Sequence, residues 1–182
     1  MQAQREDVLR ILLAVTGAVL VAAATFAWFG TGPAGAQVAA RNTARYSALV
    51  FAFVLAAQPA AGWLRAFVAV HLVHYAAVIY LARVATQHHL HQLTLRSGAV
   101  VAFGVLLLVP LAWAGPAGST VWRRLRALAL YLAWLTFLGG ALLNSPRDHA
   151  ALLPLLALLP AMAMHLRKVA ARGRASASAS AA

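Results

Sequence analysis

The chain contains apolar runs that are too long for a small soluble domain and long enough to cross a membrane. The first run, from Val8 to Phe29, carries one charged residue, Arg10. A helix needs about 20 apolar residues to cross the hydrocarbon layer. Of the 182 residues, 63% are apolar and 10% are charged, and the charges stand in short clusters between the runs. Because a soluble domain needs more charge to cover its surface, the pattern indicates a polytopic membrane protein.

Six runs fit this length, and they predict an all-α protein with a single six-helix transmembrane bundle over residues 1–168. Barrel strands are excluded because they alternate apolar and polar residues. Pro154 and Pro160 predict kinks in the last span. The Ala/Ser-rich tail, 169–182, has no apolar face to bury and is predicted to be disordered. The predicted spans are 8–29, 43–57, 63–84, 95–114, 121–143 and 149–166.

The net charge of +12 raises the question of a nucleic-acid partner. The basic residues flank the apolar runs and do not line one solvated face, so membrane lipids with anionic headgroups are the predicted partners and nucleic acid is not. With the N-terminus on side one, ten basic residues lie on that side and five on the other. The positive-inside rule then predicts an integral protein of a bacterial cytoplasmic membrane with both termini in the cytoplasm.

Two histidines, His71 and His74, lie within the third predicted span. They are about 60° apart on a helical wheel, on a face shared with Phe67, Tyr75 and Val78. An ionisable group at that depth is a functional candidate because its desolvation is costly. The alternative is structural, since a neutral imidazole can hydrogen-bond to a neighbouring helix.

The spacing between His74 and a further histidine favours a functional role over a structural one. His74 and His88 are 14 residues apart, almost four helical turns, so on a continuous helix they share a face about 21 Å apart. One helix could then offer a ligand to each of two stacked cofactors. Haem b suits the environment because the porphyrin is apolar and the iron accepts neutral imidazole. Its propionates need cations, and the candidates are Arg41, Arg45, Arg83 and Arg96.

Three segments carry a family resemblance. "RNTARYSALVFAF" at the second span, "FVAVHLVHYAAV" in the third and "WRRLRALALYLAWLTF" at the fifth resemble the ferric reductase-like transmembrane proteins. That family includes the haem-binding membrane subunit of the methionine sulfoxide reductase system. The resemblance covers roughly residues 40–145. It implies a six-helix bundle that carries b-type haem, one or two, and passes electrons across the membrane.

The chain departs from that family in the fifth span. The resemblance implies two facing helices, each with histidines 13 or 14 residues apart, but the fifth span has Arg126 in the expected place and Gly139 and Gly140 one repeat further on. It contains no histidine. A haem at His74 would then use His165 as its second axial ligand, or have five-coordinate iron. At the outer side the axial pair would be His149 with His88, His89 or His91.

The sequence offers few other candidates for a metal or cofactor site. His88, His89 and His91 could bind zinc, copper or nickel if their segment is a loop, although an exposed histidine-rich turn is the simpler interpretation. The sequence has no cysteine, which excludes thiolate haem ligation and iron–sulfur clusters. It also has no flavin or nicotinamide motif. Electrons would therefore come from a separate donor protein or from quinol, and leave to a separate acceptor.

The sequence and the resemblance thus predict a haem b-binding, ferric reductase-like electron-transfer protein, of the kind that serves as the membrane subunit of an oxidoreductase. The first alternative is a non-catalytic membrane scaffold or partner subunit that keeps the bundle without haem, and Arg126 and the fifth-span glycines favour it. A metal or small-solute transporter is a third interpretation. It is weakened because no predicted span carries a buried carboxylate of the kind that proton-coupled transport uses.

Overall fold

A computed structural model describes residues 2–57, 61–85, 120–146 and 148–180, and every regular element in these ranges is helical. The predicted all-α class is confirmed for this part of the chain. The elements are α1 (Gln2–Phe29), α2 (Pro33–Ala56), α3 (Ala61–Val84), α4 (Thr120–Asn144), a 3-10 turn (His149–Leu152) and α5 (Leu155–Ser180).

Within the described ranges, four helical stretches are long and apolar enough to cross a membrane. They support the prediction of an integral membrane protein. The count of six spans is not confirmed: α2 is not one of the four, and the predicted span 95–114 lies outside the described residues. The four stretches are Gln4–Phe29, Gly62–Val84, Thr120–Asn144 and His149–Ala175.

Helix α2 lies at the centre of the bundle, where it packs against α1, α3 and α5. A helix enclosed by protein needs small side chains that allow close approach, which lipid-facing helices do not need. This explains why α2 is rich in alanine and carries buried hydroxyls. Its buried residues are Gly35, Ala36, Ala39, Ala40, Thr43, Ser47, Ala48, Val50, Phe51, Ala52, Val54 and Leu55.

Polar contacts define the two ends of the bundle. At the end that we term inner, Asp7 near the start of α1 pairs with Arg65 near the start of α3 at 3.2 Å. Lys168 of α5 donates to the Ala56 carbonyl at the same end. At the opposite, outer end, the Tyr80 hydroxyl donates to the Thr31 carbonyl at 2.9 Å. The start of α1 and the last turns of α5 therefore lie at the same end.

Helix α2 begins at Pro33, ten residues before the predicted start of the second span. The predicted start at residue 43 was too late, because it left residues 33–42, including Arg41, out of the helix. Proline is favoured at the first helical position because its φ is already helical and its missing N–H has no helical partner to lose. Gly30, at φ 76°, ends α1 just before this point and makes the tight reversal possible.

The last span also differs from its prediction. Pro154 divides it into the 3-10 turn His149–Leu152 and helix α5, while Pro160 lies inside α5. The helix continues through Ser180, into the tail for which disorder was predicted. Residues 166–175 are exposed, so this extension buries little apolar surface. Its alanines and arginines have high intrinsic helix propensity, which the argument from apolar faces left out.

Candidate functional site

The interface between α2 and α3 has a regular antiparallel register that places both intramembrane histidines. Phe51 contacts Phe67 with ring centroids 4.9 Å apart. One turn outward Ser47 meets His71, and the next turn brings Thr43 to His74. Further out, the interface closes with small and aliphatic side chains, Ala36, Ala40, Ala77 and Leu81. The histidines are therefore the polar centre of an otherwise apolar interface.

His71 is the most deeply buried member of this site, with 3% of its surface exposed. Its Nδ1 lies 2.7 Å from the Ser47 hydroxyl, which is also buried. Its Nε2 has no hydrogen-bond partner among the described residues. A buried polar atom without a partner is costly and calls for an explanation such as a ligand.

His74 is half-buried and lies one turn further outward. Its Nδ1 is 3.1 Å from the Thr43 hydroxyl, and its ring centroid is 5.2 Å from that of His71. Tyr75 packs edge-on against His71 at 5.1 Å, and its buried hydroxyl also lacks a partner among the described residues. The predicted pair of histidines is thus brought together, and each imidazole is held by a hydroxyl of α2.

An aromatic cluster covers the inner side of His71. Phe67 lies 5.3 Å from the imidazole, centroid to centroid, and Phe137 of α4 lies 6.0 Å from it. Phe51 joins these rings at 4.9 Å from Phe67 and 5.5 Å from Phe137. These side chains exclude water from the inner side of the site and connect α4 to the α2–α3 interface.

On the outer part of α4, the described residues leave the surroundings of two glycines unfilled. Gly140 lies three residues beyond Phe137 on α4, and His74 lies three residues beyond His71 on α3. Both helices run towards the outer end, so Gly140 is level with His74, each about 4.5 Å outward of the Phe137–His71 contact. A Cβ on Gly140, or on Gly139, would have no neighbouring atom within 4 Å among the described residues.

Arg41 and Arg45, two of the predicted propionate ligands, lie at the outer end but already have a carboxylate partner. Arg45 pairs with Asp148, and Arg41 approaches the same carboxylate oxygen at 3.8 Å. Asp148 also caps the 3-10 turn by accepting from the Ala150 amide at 3.1 Å. Two guanidinium groups on one carboxylate leave one net positive charge for a ligand. Arg83, a third candidate, is exposed in the last turn of α3.

His165 does not lie beside His74. It is buried against Tyr131 of α4, whose hydroxyl is 3.5 Å from His165 Nε2. Tyr131 lies six residues inward of Phe137, which is about 9 Å along α4. One iron atom cannot bridge that separation, so the described structure does not support the predicted His74–His165 axial pair.

The remaining predicted residues are only partly described. His149 opens the 3-10 turn at the outer end. Its proposed partners His88, His89 and His91, together with Arg96, lie outside the described residues, as does the helical continuation from His74 to His88. Among the described residues, no group of three His, Cys, Asp or Glu side chains could hold a metal ion.

Sequence reasoning missed the two hydroxyls that hold the histidines. Thr43 and Ser47 are fully buried, and they are four residues apart on α2, one turn, as His71 and His74 are three apart on α3. The sequence contained a usable signal, since Ala36, Ala40, Thr43 and Ser47 recur at helical spacing as a stripe of small residues. It was overlooked because the second span was predicted to begin at residue 43.

The chain matches no protein-family model, no curated protein sequence and no solved structure. The ferric reductase-like resemblance therefore stays a prediction from its three segments.

Proposed function

We propose that this membrane protein binds haem b at the α2–α3 interface and serves as an electron-transfer subunit, with His74 as the first candidate axial ligand. The single observation that carries the proposal is the pair of intramembrane imidazoles held through Nδ1 by buried hydroxyls. Ligating histidines usually use one ring nitrogen for the metal and the other for a hydrogen bond that fixes the ring. His71 and His74 each have such a bond.

The described residues fit a haem in three respects. His71 Nε2 is buried and has no partner among them, so the site contains a nitrogen that lacks its expected interaction. A Cβ added at Gly140, level with His74, would meet no described atom within 4 Å, so this position does not obstruct a flat macrocycle. Arg41 and Arg45 keep one net positive charge at the outer end after pairing with Asp148.

The haem iron would supply reversible one-electron chemistry. The side chains of this protein would supply the environment of the iron. The aromatic cluster of Phe51, Phe67 and Phe137 keeps water from the inner side of the histidines. The low dielectric of the interface favours a neutral imidazole, which is the form that ligates iron. His74 would hold the iron, whereas His165, which lies against Tyr131 further inward, would not.

The electron donor and the electron acceptor would be molecules other than this chain. The sequence has no flavin or nicotinamide motif, so a donor protein or quinol would deliver electrons and an oxidoreductase partner would use them. The six-span topology belongs to the same proposal. It is supported by the directions of the helices: α3 ends at the outer end, whereas α4 begins at the inner end and runs outward to Asp148. A crossing between them fits the predicted span 95–114.

Absorption spectroscopy tests the proposal. The full chain, expressed with added haem precursor and purified in detergent, is measured as isolated and after dithionite, beside His74→Ala, His71→Ala and Leu72→Ala. Leu72 is the matched control because it lies between the histidines but is exposed on the helix surface. We expect haem bands in the wild type and in Leu72→Ala, and loss of most of them in His74→Ala.

Haem bands that survive both histidine substitutions unchanged would overturn the α2–α3 site. A wild-type protein with no haem bands would overturn the haem proposal itself, and would favour the non-catalytic scaffold that Arg126 and the glycines of α4 suggest.

A further inference from the structure

The acceptor of the hydrogen bond that the Thr43 hydroxyl donates can be identified from its neighbours. Thr43 Oγ1 lies 2.8 Å from the Ala39 carbonyl and 3.1 Å from the Ala40 carbonyl. A carbonyl oxygen can only accept, and two oxygens this close without a hydrogen between them would repel. The hydroxyl therefore donates to the backbone of its own helix, as Ser and Thr commonly do.

This leaves Thr43 Oγ1 as an acceptor towards His74. Nδ1 of the imidazole lies 3.1 Å from that oxygen, and a neutral imidazole has one N–H and one bare nitrogen. Since the Thr43 hydrogen is already used, Nδ1 must carry the imidazole hydrogen.

The same arrangement occurs elsewhere in the chain. Thr25 Oγ1 donates to the Val21 carbonyl at 2.7 Å and accepts from the Asn42 side-chain amide at 3.2 Å. There the direction is certain, because Nδ2 of Asn42 can only donate. A helix-bonded threonine that accepts from a neighbouring helix is thus a contact that this bundle uses twice.

Ser47 differs in this respect. Its hydroxyl lies 2.7 Å from His71 Nδ1, and among the described residues it makes no backbone hydrogen bond that would fix the direction of its hydrogen. Ser47 can therefore donate or accept, and the tautomer of His71 is free to adjust. Of the two imidazoles, only His74 has a tautomer fixed by its neighbour.

We propose that Thr43 is a positioning residue that holds His74 in the Nδ1–H tautomer, so that the Nε2 lone pair is the coordinating atom. The functional consequence rests on the proposed haem site, but the tautomer does not. A hydrogen bond donated from Nδ1 also makes Nε2 a stronger electron donor, which stabilises the oxidised metal. Removing the acceptor should therefore raise the reduction potential of a haem bound at His74.

The first test uses the haem-free full chain with ¹⁵N-labelled histidine in detergent micelles. Two-bond ¹H–¹⁵N correlation spectra identify the protonated ring nitrogen, and the signals that vanish in His74→Ala assign the residue. We expect the Nδ1–H tautomer at His74 in the wild type and in Thr43→Ser, and loss of its predominance in Thr43→Val, which keeps the shape but lacks the acceptor.

Thr136→Val is the matched control, because Thr136 Oγ1 makes the same bond to a carbonyl four residues back, Leu132 at 2.8 Å, and this bond is exposed on α4. It should leave the His74 tautomer unchanged. An Nε2–H tautomer in the wild type, or an Nδ1–H tautomer that persists in Thr43→Val, would overturn the inference.

The second test is a redox titration of the haem-loaded chain. Thr43→Val should raise the midpoint potential, whereas Thr43→Ser and Thr136→Val should leave it near the wild-type value. A potential unchanged by Thr43→Val would overturn the electronic role of Thr43 while leaving haem binding intact. Conversely, a chain that binds no haem would sink the proposed function, but the tautomer measurement would still decide the role of Thr43.

Discussion

Phe51 illustrates, at the scale of single residues, how packing supports the histidine site. Its ring is fully buried between Phe67 and Phe137, two residues from Phe53, which is 54% exposed and stacks on Trp63 at 5.0 Å. Both are phenylalanines on α2, and sequence alone ranks them equally. Only the register of α2 against α3 separates the ring that fills the core from the ring on the surface.

Phe51→Ala should destabilise the protein by about 3 kcal/mol, because a buried cavity would replace the ring and the apolar surroundings cannot refill it completely. Phe53→Ala should cost about 1 kcal/mol or less, since its site is open and no cavity forms. Equilibrium unfolding in mixed micelles, followed by circular dichroism, measures both. Equal losses for the two variants would contradict the register described for α2 and α3.

At the scale of helices, close approach explains most of what the sequence alone did not reveal. The long apolar runs located α3, α4 and the end of α1 to within two residues, because length and hydropathy suffice for helices that face lipid. Helix α2 was mispredicted at its start because hydropathy undervalues a helix whose neighbours are protein. Its alanines, and Gly17 of α1, stabilise the bundle only through close contacts with other helices. The periodicity of a single segment cannot reveal such contacts.

Substitution of Gly17 tests the close approach of α1 and α2. A Cβ at this position would collide with the phenol of Tyr46 from α2. We expect Gly17→Leu to push α1 away from α2 and to lower stability by about 1–3 kcal/mol, the usual cost of overpacking. Gly139→Leu is the control, because a Cβ there meets no described atom within 4 Å.

The gain in helix propensity is similar for both substitutions, so the difference between them isolates the packing term. Thermal unfolding in detergent measures it. A Gly17→Leu variant as stable as Gly139→Leu would contradict the α1–α2 contact.

At the scale of the whole molecule, the start of α1 and the last part of α5 lie at the same end of the bundle. The contacts of Asp7 with Arg65 and of Lys168 with Ala56 place both chain ends at one end of the bundle. Counting basic residues assigns that end to the cytoplasm, but the structure contains no membrane and leaves the assignment a prediction. The axial partner of His74 could not be predicted, since His165 and Tyr131 meet only through the packing of α5 on α4.

Orientation can be measured directly because the chain contains no cysteine. Thr31→Cys, in the turn between α1 and α2, should react with an impermeant thiol reagent in intact bacterial cells. Arg172→Cys, exposed in the last part of α5, should react only after the membrane is opened. The positive-inside rule gives this direction, and the reverse labelling pattern would contradict it.

The central claim, that this protein moves electrons through a haem on α3, is tested most directly in sealed vesicles. The haem-loaded chain is reconstituted with ferricyanide trapped inside, a membrane-impermeant reductant is added outside, and the loss of trapped ferricyanide is followed by absorbance. The account predicts reduction that depends on the protein and falls to the rate of empty vesicles with His74→Ala, while Leu72→Ala keeps the wild-type rate. Equal rates for the wild type, His74→Ala and empty vesicles would contradict it.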